Sequence, residues 1–103
     1  MKDRKINTIV TFTNELAYNV DDAVYLLGNA IHTIVLGGDI LIPNSEGILT
    51  HESSNWSYDI NPNLSNEENI NTSIEYAVKY LQKIKDIWTK TNLDSVYVVL
   101  VVK

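Results

Sequence analysis

Few side chains in this sequence combine the type and the spacing that chemistry requires. The histidines His32 and His51 are the obvious metal ligands or general bases, but a zinc-type centre needs about three protein ligands in compatible geometry. No HxH or HxxxH pair sets the two on one strand or helix face, and the chain has no cysteine to complete a set. No metal site is therefore expected, and His32 reads as a half-buried residue that hydrogen-bonds locally. The missing cysteine also excludes disulfides, thiolate ligands and cysteine nucleophiles. Asp21 and Asp22 are adjacent carboxylates, but on a helix neighbours point about 100° apart and make poor partners for one proton. Capping a helix start explains them better. Gly37-Gly38-Asp39 lacks the Lys-Ser/Thr and the following helix of a phosphate loop, and there is no nucleophile elbow. The expectation is a protein that is not an enzyme and carries no cofactor.

What stands out instead is where the charge lies. The net charge is −5 over 103 residues. Between Ile6 and Val78 there is no lysine or arginine, while ten acids fall there: Glu15, Asp21, Asp22, Asp39, Glu46, Glu52, Asp59, Glu67, Glu68 and Glu75. All eight basic residues lie nearer the two ends. Whole faces should thus be uncompensated, repelling phosphate backbones and attracting cationic partners. Acidity kept only for solubility would look the same from composition alone. Direct nucleic-acid binding is not expected, and no apolar run approaches the ~20 residues that span a bilayer. With no signal-like N-terminal run, a cytoplasmic location is expected.

Two sets of aromatics could contribute to binding. Trp56 and Tyr58 sit in a polar stretch flanked by Glu52 and Asp59, the composition of a binding hot spot, or else of a loop anchored on the core. Tyr76, Tyr80, Lys83 and Ile87 form a stripe beside the core face of a helix, which reads as a wide buried face or as a contact surface for a partner.

These residues must be positioned by few elements. Lys5 to Thr13 alternates as a strand, and a helix runs from Val20 to Leu27 with Asn19 or Asp21 as its cap. Beyond it the pattern forks. Either the helix continues to Leu36 and stops at Gly37, or Ile31–Leu36 and Asp39–Ile42 form a hairpin around Gly37-Gly38, which the β-branched block favours. Pro43–Gly47 reads as a turn and Ile48–His51 as a strand. Trp56, Tyr58 and Ile60 alternate like a short edge strand that breaks at Asn61-Pro62. Ser65-Asn66-Glu67-Glu68 has capping-box spacing. From there Ile74, Ala77, Val78, Leu81, Ile84 and Trp88 make a core-facing stripe that ends near Asn92. Val96–Val102, apolar on both faces, reads as a central strand.

The expected fold is one α+β domain over residues 1–103: a mostly antiparallel sheet of four to six strands, covered by one long C-terminal helix and a shorter one. If the first helix runs through to Leu36, the order becomes βαββαβ, a ferredoxin-like arrangement. Short, cysteine-free, acidic and without catalytic residues, the chain resembles small bacterial immunity proteins in kind, a likeness of properties and not of motif. It implies a non-enzymatic inhibitor whose carboxylates cover the active site of a basic enzyme such as a nuclease toxin. The residues expected to carry that contact are Glu46, Glu52, Trp56, Tyr58, Asp59, Glu67 and Glu68, with the Glu52/Asp59 pair mattering more than Glu67/Glu68. The alternative is a ferredoxin-like domain that binds a small molecule or forms a homodimer through the Tyr76/Tyr80/Ile87 flank or a strand edge.

Overall fold

Helix α1 forms where the sequence stops alternating and caps itself. The Asn19 side chain accepts the Asp22 amide at 2.8 Å, and Asp21 and Asp22 fill the first turn, where carboxylates face the positive end of the helix dipole. In a computed structural model of the chain, residues 8–10, 15–43, 46, 49–88 and 96–103 are described, with backbone alone at 8–10, 43, 49–54 and 88. The elements run β1 (Thr8–Val10), β2 (Leu16–Asn19), α1 (Val20–Asn29), β3 (Val35–Pro43), β4 (Leu49–Ser57), α2 (Asn66–Trp88) and β5 (Tyr97–Val102). The strands form one antiparallel sheet in the order β1-β2-β5-β3-β4, so the protein is α+β as expected. Strand β1 covers only part of the Lys5–Thr13 expectation, and the flanks of that segment lie outside the described residues. The short strand β2 was not expected at all.

Both readings of the segment after Leu27 need correction. The helix does not reach Leu36: the Leu26 carbonyl accepts both the Ala30 amide (2.8 Å) and the Ile31 amide (3.0 Å), while Asn29 Nδ2 donates to the Tyr25 carbonyl at 2.8 Å. These bonds close the helix at Asn29. Nor do Gly37 and Gly38 make a hairpin turn. They sit inside β3, a single strand from Val35 to Pro43. Gly37 has φ +154°, and a Cβ there would strike the Trp56 carbonyl oxygen. A Cβ on Gly38 would overlap the Trp56 indole ring. The register against β5 slips between Val35 and Gly37, so this is a bulge with a ring laid upon it. His32, expected to be half-buried, is exposed in the connection before β3.

Both helices pack on one face of the sheet. Val20, Ala23 and Leu27 of α1 and Ala77, Leu81 and Ile84 of α2 meet Val35 and Ile40 of β3, Trp56 of β4 and Val98 of β5. Each fully buried leucine or isoleucine in that set is worth about 1.5–3 kcal/mol of burial. On the opposite face Ala17, Leu41 and Val99 form a smaller cluster with Tyr97 against it. Strand β5 alternates between the two clusters and lies between β2 and β3, which makes it the central strand its composition announced. One polar group ties α2 to the sheet and another ties it to α1. Buried Ser73 accepts the Val35 amide through Oγ at 2.9 Å and donates to the Ile70 carbonyl at 2.9 Å, so the start of β3 is satisfied by a helix side chain. On the surface, Lys85 reaches Asp21 of α1 at 2.9 Å.

Candidate functional site

Helix α2 opens with the expected capping box. Ser65 N donates to Glu68 Oε1 at 2.9 Å, and Glu68 N donates to Ser65 Oγ at 3.1 Å. The bonds from Ser65, the backbone one first, hold the Glu68 carboxyl below the usual glutamate range. One turn further in, Asn69 is buried (2% exposed) and uses its whole amide. Its Oδ1 accepts the Tyr58 hydroxyl at 2.7 Å and the Asn61 amide at 2.9 Å. Its Nδ2 donates to the carbonyls of Asn61 at 3.0 Å and Ser65 at 3.1 Å, with Leu64 more distant at 3.4 Å. A buried amide engaged on both ends is rigid, so the 58–65 connection is clamped onto the helix start.

That clamp decides which of the expected contact residues come together. Asp59, Glu67 and Glu68 are all exposed at this end of α2, on the clamped connection and in the first helical turn. None of the three meets a lysine or arginine among the described residues. Tyr58 is half-buried with its hydroxyl on Asn69, and so supports the ridge from behind. Glu46 is exposed in the turn between β3 and β4, at the far end of β4. A nine-residue strand spans roughly 30 Å, so Glu46 is not part of this group. Glu52 falls within β4 itself and not in the loop, and its side chain lies outside the described residues.

The two aromatic sets, separate in sequence, meet in space. Trp56 is 7% exposed and stacks on Tyr80 with ring centroids 5.1 Å apart and planes at 29°. They form the floor of a cleft of about 700 Å³ between α2 and strand β4, the edge strand of the sheet. Lys79, Lys83 and Ile84 also line it, as do the half-exposed Tyr76 and Ile87. Lys79 pairs with Glu75 at 3.4 Å. Buried Trp56 Nε1 finds no acceptor among the described residues. A second cleft of about 470 Å³, lined by Leu16, Leu26, Ile31 and Val101 among others, contains none of the expected contact residues.

Among the described residues no three His, Asp or Glu side chains gather as metal ligands, and no helix is long and apolar enough to cross a membrane. What the geometry offers is a rigid acidic ridge beside an aromatic cleft. The family model for Immunity protein 40 matches residues 4–102, nearly the whole chain. The chain belongs to the Immunity protein 40 family. It is an immunity protein, which inhibits a toxin. No curated protein and no solved structure matches the immunity protein significantly.

The residues that build this surface were only partly visible beforehand. Asn69, Ser73 and the glycine bed under Trp56 were missed. A signal for the first two exists: counting back from Leu81 and Ala77 by four lands on Ser73 and then Asn69, so the core stripe continues in polar residues that must find partners.

Proposed function

We propose that this immunity protein inhibits a cationic toxin by placing the carboxylates of Asp59, Glu67 and Glu68 where the toxin's anionic substrate otherwise binds, the toxin being a nuclease. The observation that carries this reading is the Asn69 clamp. It fixes the backbone that carries these three carboxylates before the partner arrives, so little backbone ordering entropy is lost on binding. The segment from Ile6 to Val78, which supplies the ridge, contains no lysine or arginine, so the field there is not neutralised from within. Trp56 and Tyr58 act from beneath as supports. Glu46, some 30 Å along the strand, contributes to steering more than to contact, and Glu52 adds to the net negative charge.

The test begins with capture of the toxin from the native host's lysate at low salt, followed by association kinetics across a salt series. The association rate should fall by about tenfold or more between low and physiological salt. Reversing Asp59, Glu67 and Glu68 to lysine together should remove most of that dependence, and polyanionic substrate should compete with the immunity protein. An association rate indifferent to both salt and reversal would sink the proposal.

A further inference from the structure

The cleft beside the ridge carries the opposite sign. Lys79 and Lys83 stand one turn apart on its helical wall, and Lys83 has no acidic partner among the described residues. Opposite them, β4 is the last strand of the sheet, and among the described residues nothing pairs with its outer edge. Between wall and edge lies the Trp56–Tyr80 floor with Ile84. A strand edge supplies main-chain hydrogen bonds, and a side-chain pocket selects alternate residues of whatever adds to it.

We propose that this cleft receives an extended protein segment that adds a short strand along Asn55–Ser57. Two of its helix-facing side chains, about 7 Å apart along the strand, are read by the wall. One is apolar and covers Trp56 and Tyr80; the other is a carboxylate that meets Lys79 and Lys83. In an immunity protein the donor of that segment is the toxin, so the proposal rests on the toxin-binding reading and adds a contact of opposite charge to it. The cleft begins at Tyr76, eight residues along the helix from Glu68 and so about 12 Å away, within a single protein footprint.

A second copy of this chain fits the cleft less well. Between Asp39 and Leu41 of β3 the partner register on β4 moves from Asn55 to His51, so β4 bulges through Glu52–Ser54. A bulge interrupts the straight edge that self-pairing along the whole strand needs.

The probe is a short blocked peptide of alternating threonines with one leucine and one glutamate on the same face, carrying a fluorophore and followed by anisotropy. Its control has lysine in place of glutamate. The acidic peptide should bind the intact protein at least about tenfold more tightly than the control. Lys79→Glu with Lys83→Glu should reverse that preference, and Tyr76→Ala should weaken both. The triple lysine reversal of the ridge should leave the preference intact, which separates failure of the cleft from failure of the ridge. Equal binding of the two peptides, no binding of either, or a dimer in light scattering that the lysine reversal dissolves would each overturn the proposal.

Discussion

Replacing Asn69 tests the link between fold and ridge most directly. Four of its five side-chain hydrogen bonds are 3.1 Å or shorter. At about 1 kcal/mol net for each the Asn69→Ala loss approaches 4 kcal/mol, but the freed groups of an exposed connection can turn to water. A loss of about 2–3 kcal/mol is expected, or roughly 10–20 °C in Tm for a domain of this size. If the connection opens alone, Tm falls less and hydrogen exchange reports the event. The Asn61 amide, now bonded to Oδ1, should then exchange about 30- to 150-fold faster at 2–3 kcal/mol. Asn69→Asp is the sharper variant because its shape is unchanged. It keeps both acceptor roles, loses the three bonds that Nδ2 donates and sets a buried charge before the carbonyls of Asn61 and Ser65. Burial raises such a carboxyl's pKa above its unfolded value, so this variant should be at least as unstable as Asn69→Ala near neutral pH. It should recover as pH falls and the carboxyl protonates. Calorimetry with amide exchange on both variants decides it. Wild-type stability and exchange in Asn69→Asp at neutral pH would refute the reasoning.

Two further outcomes follow from local geometry. Gly38→Ala should lower stability by about 2–4 kcal/mol, since the new methyl must displace a tryptophan buried in the core. Urea unfolding with an unchanged slope but a lower midpoint would show it, and a loss under about 0.5 kcal/mol would mean the ring moves freely. The capping box should also be acid-sensitive. Because the Glu68 carboxyl is held below its ordinary range, its contribution is complete above the unfolded glutamate value near 4.3 and is lost as pH falls through the lower folded value. The stability gap between wild type and Glu68→Ala should therefore narrow below about pH 4; a gap that stays constant from neutral to strongly acid pH would contradict it.

The elements read most easily were those whose signal is local. Asn19, the Ser65/Glu68 box and the stripe through Leu81 act within one helix, and each appears in its expected place. Strand β5 was legible because both its faces are apolar. The misreadings share another origin. Gly37-Gly38 looks like a turn because glycine is the commonest turn residue, yet its function is to leave room for a ring eighteen residues further on, at Trp56. Nothing nearby in sequence reports that. Asn69 looks like one more polar residue in an exposed helix start until the 58–65 segment folds back on it. Trp56, among polar neighbours, reads equally as a surface hot spot or as an anchor on the core, and only its packing with Tyr80 selects the second. The acids of the ridge were visible as composition, but their separation from Glu46 depends on the length of β4.

The position of β5 bears on timing. This strand is synthesised after β2 and β3, yet it is the one that joins them. Until it emerges, the two halves of the sheet share no strand, and the helix face has no Val98 to pack upon. Its pairings with β2 close a loop of most of the chain, and contacts so distant in sequence slow folding. On the proposed reading, inhibition waits through the interval between synthesis of Glu68 and the docking of Tyr97–Val102. On that reading a cell would have to start making the protein ahead of its toxin, or hold a reserve, because the acidic ridge is complete in sequence well before it has a sheet to stand on.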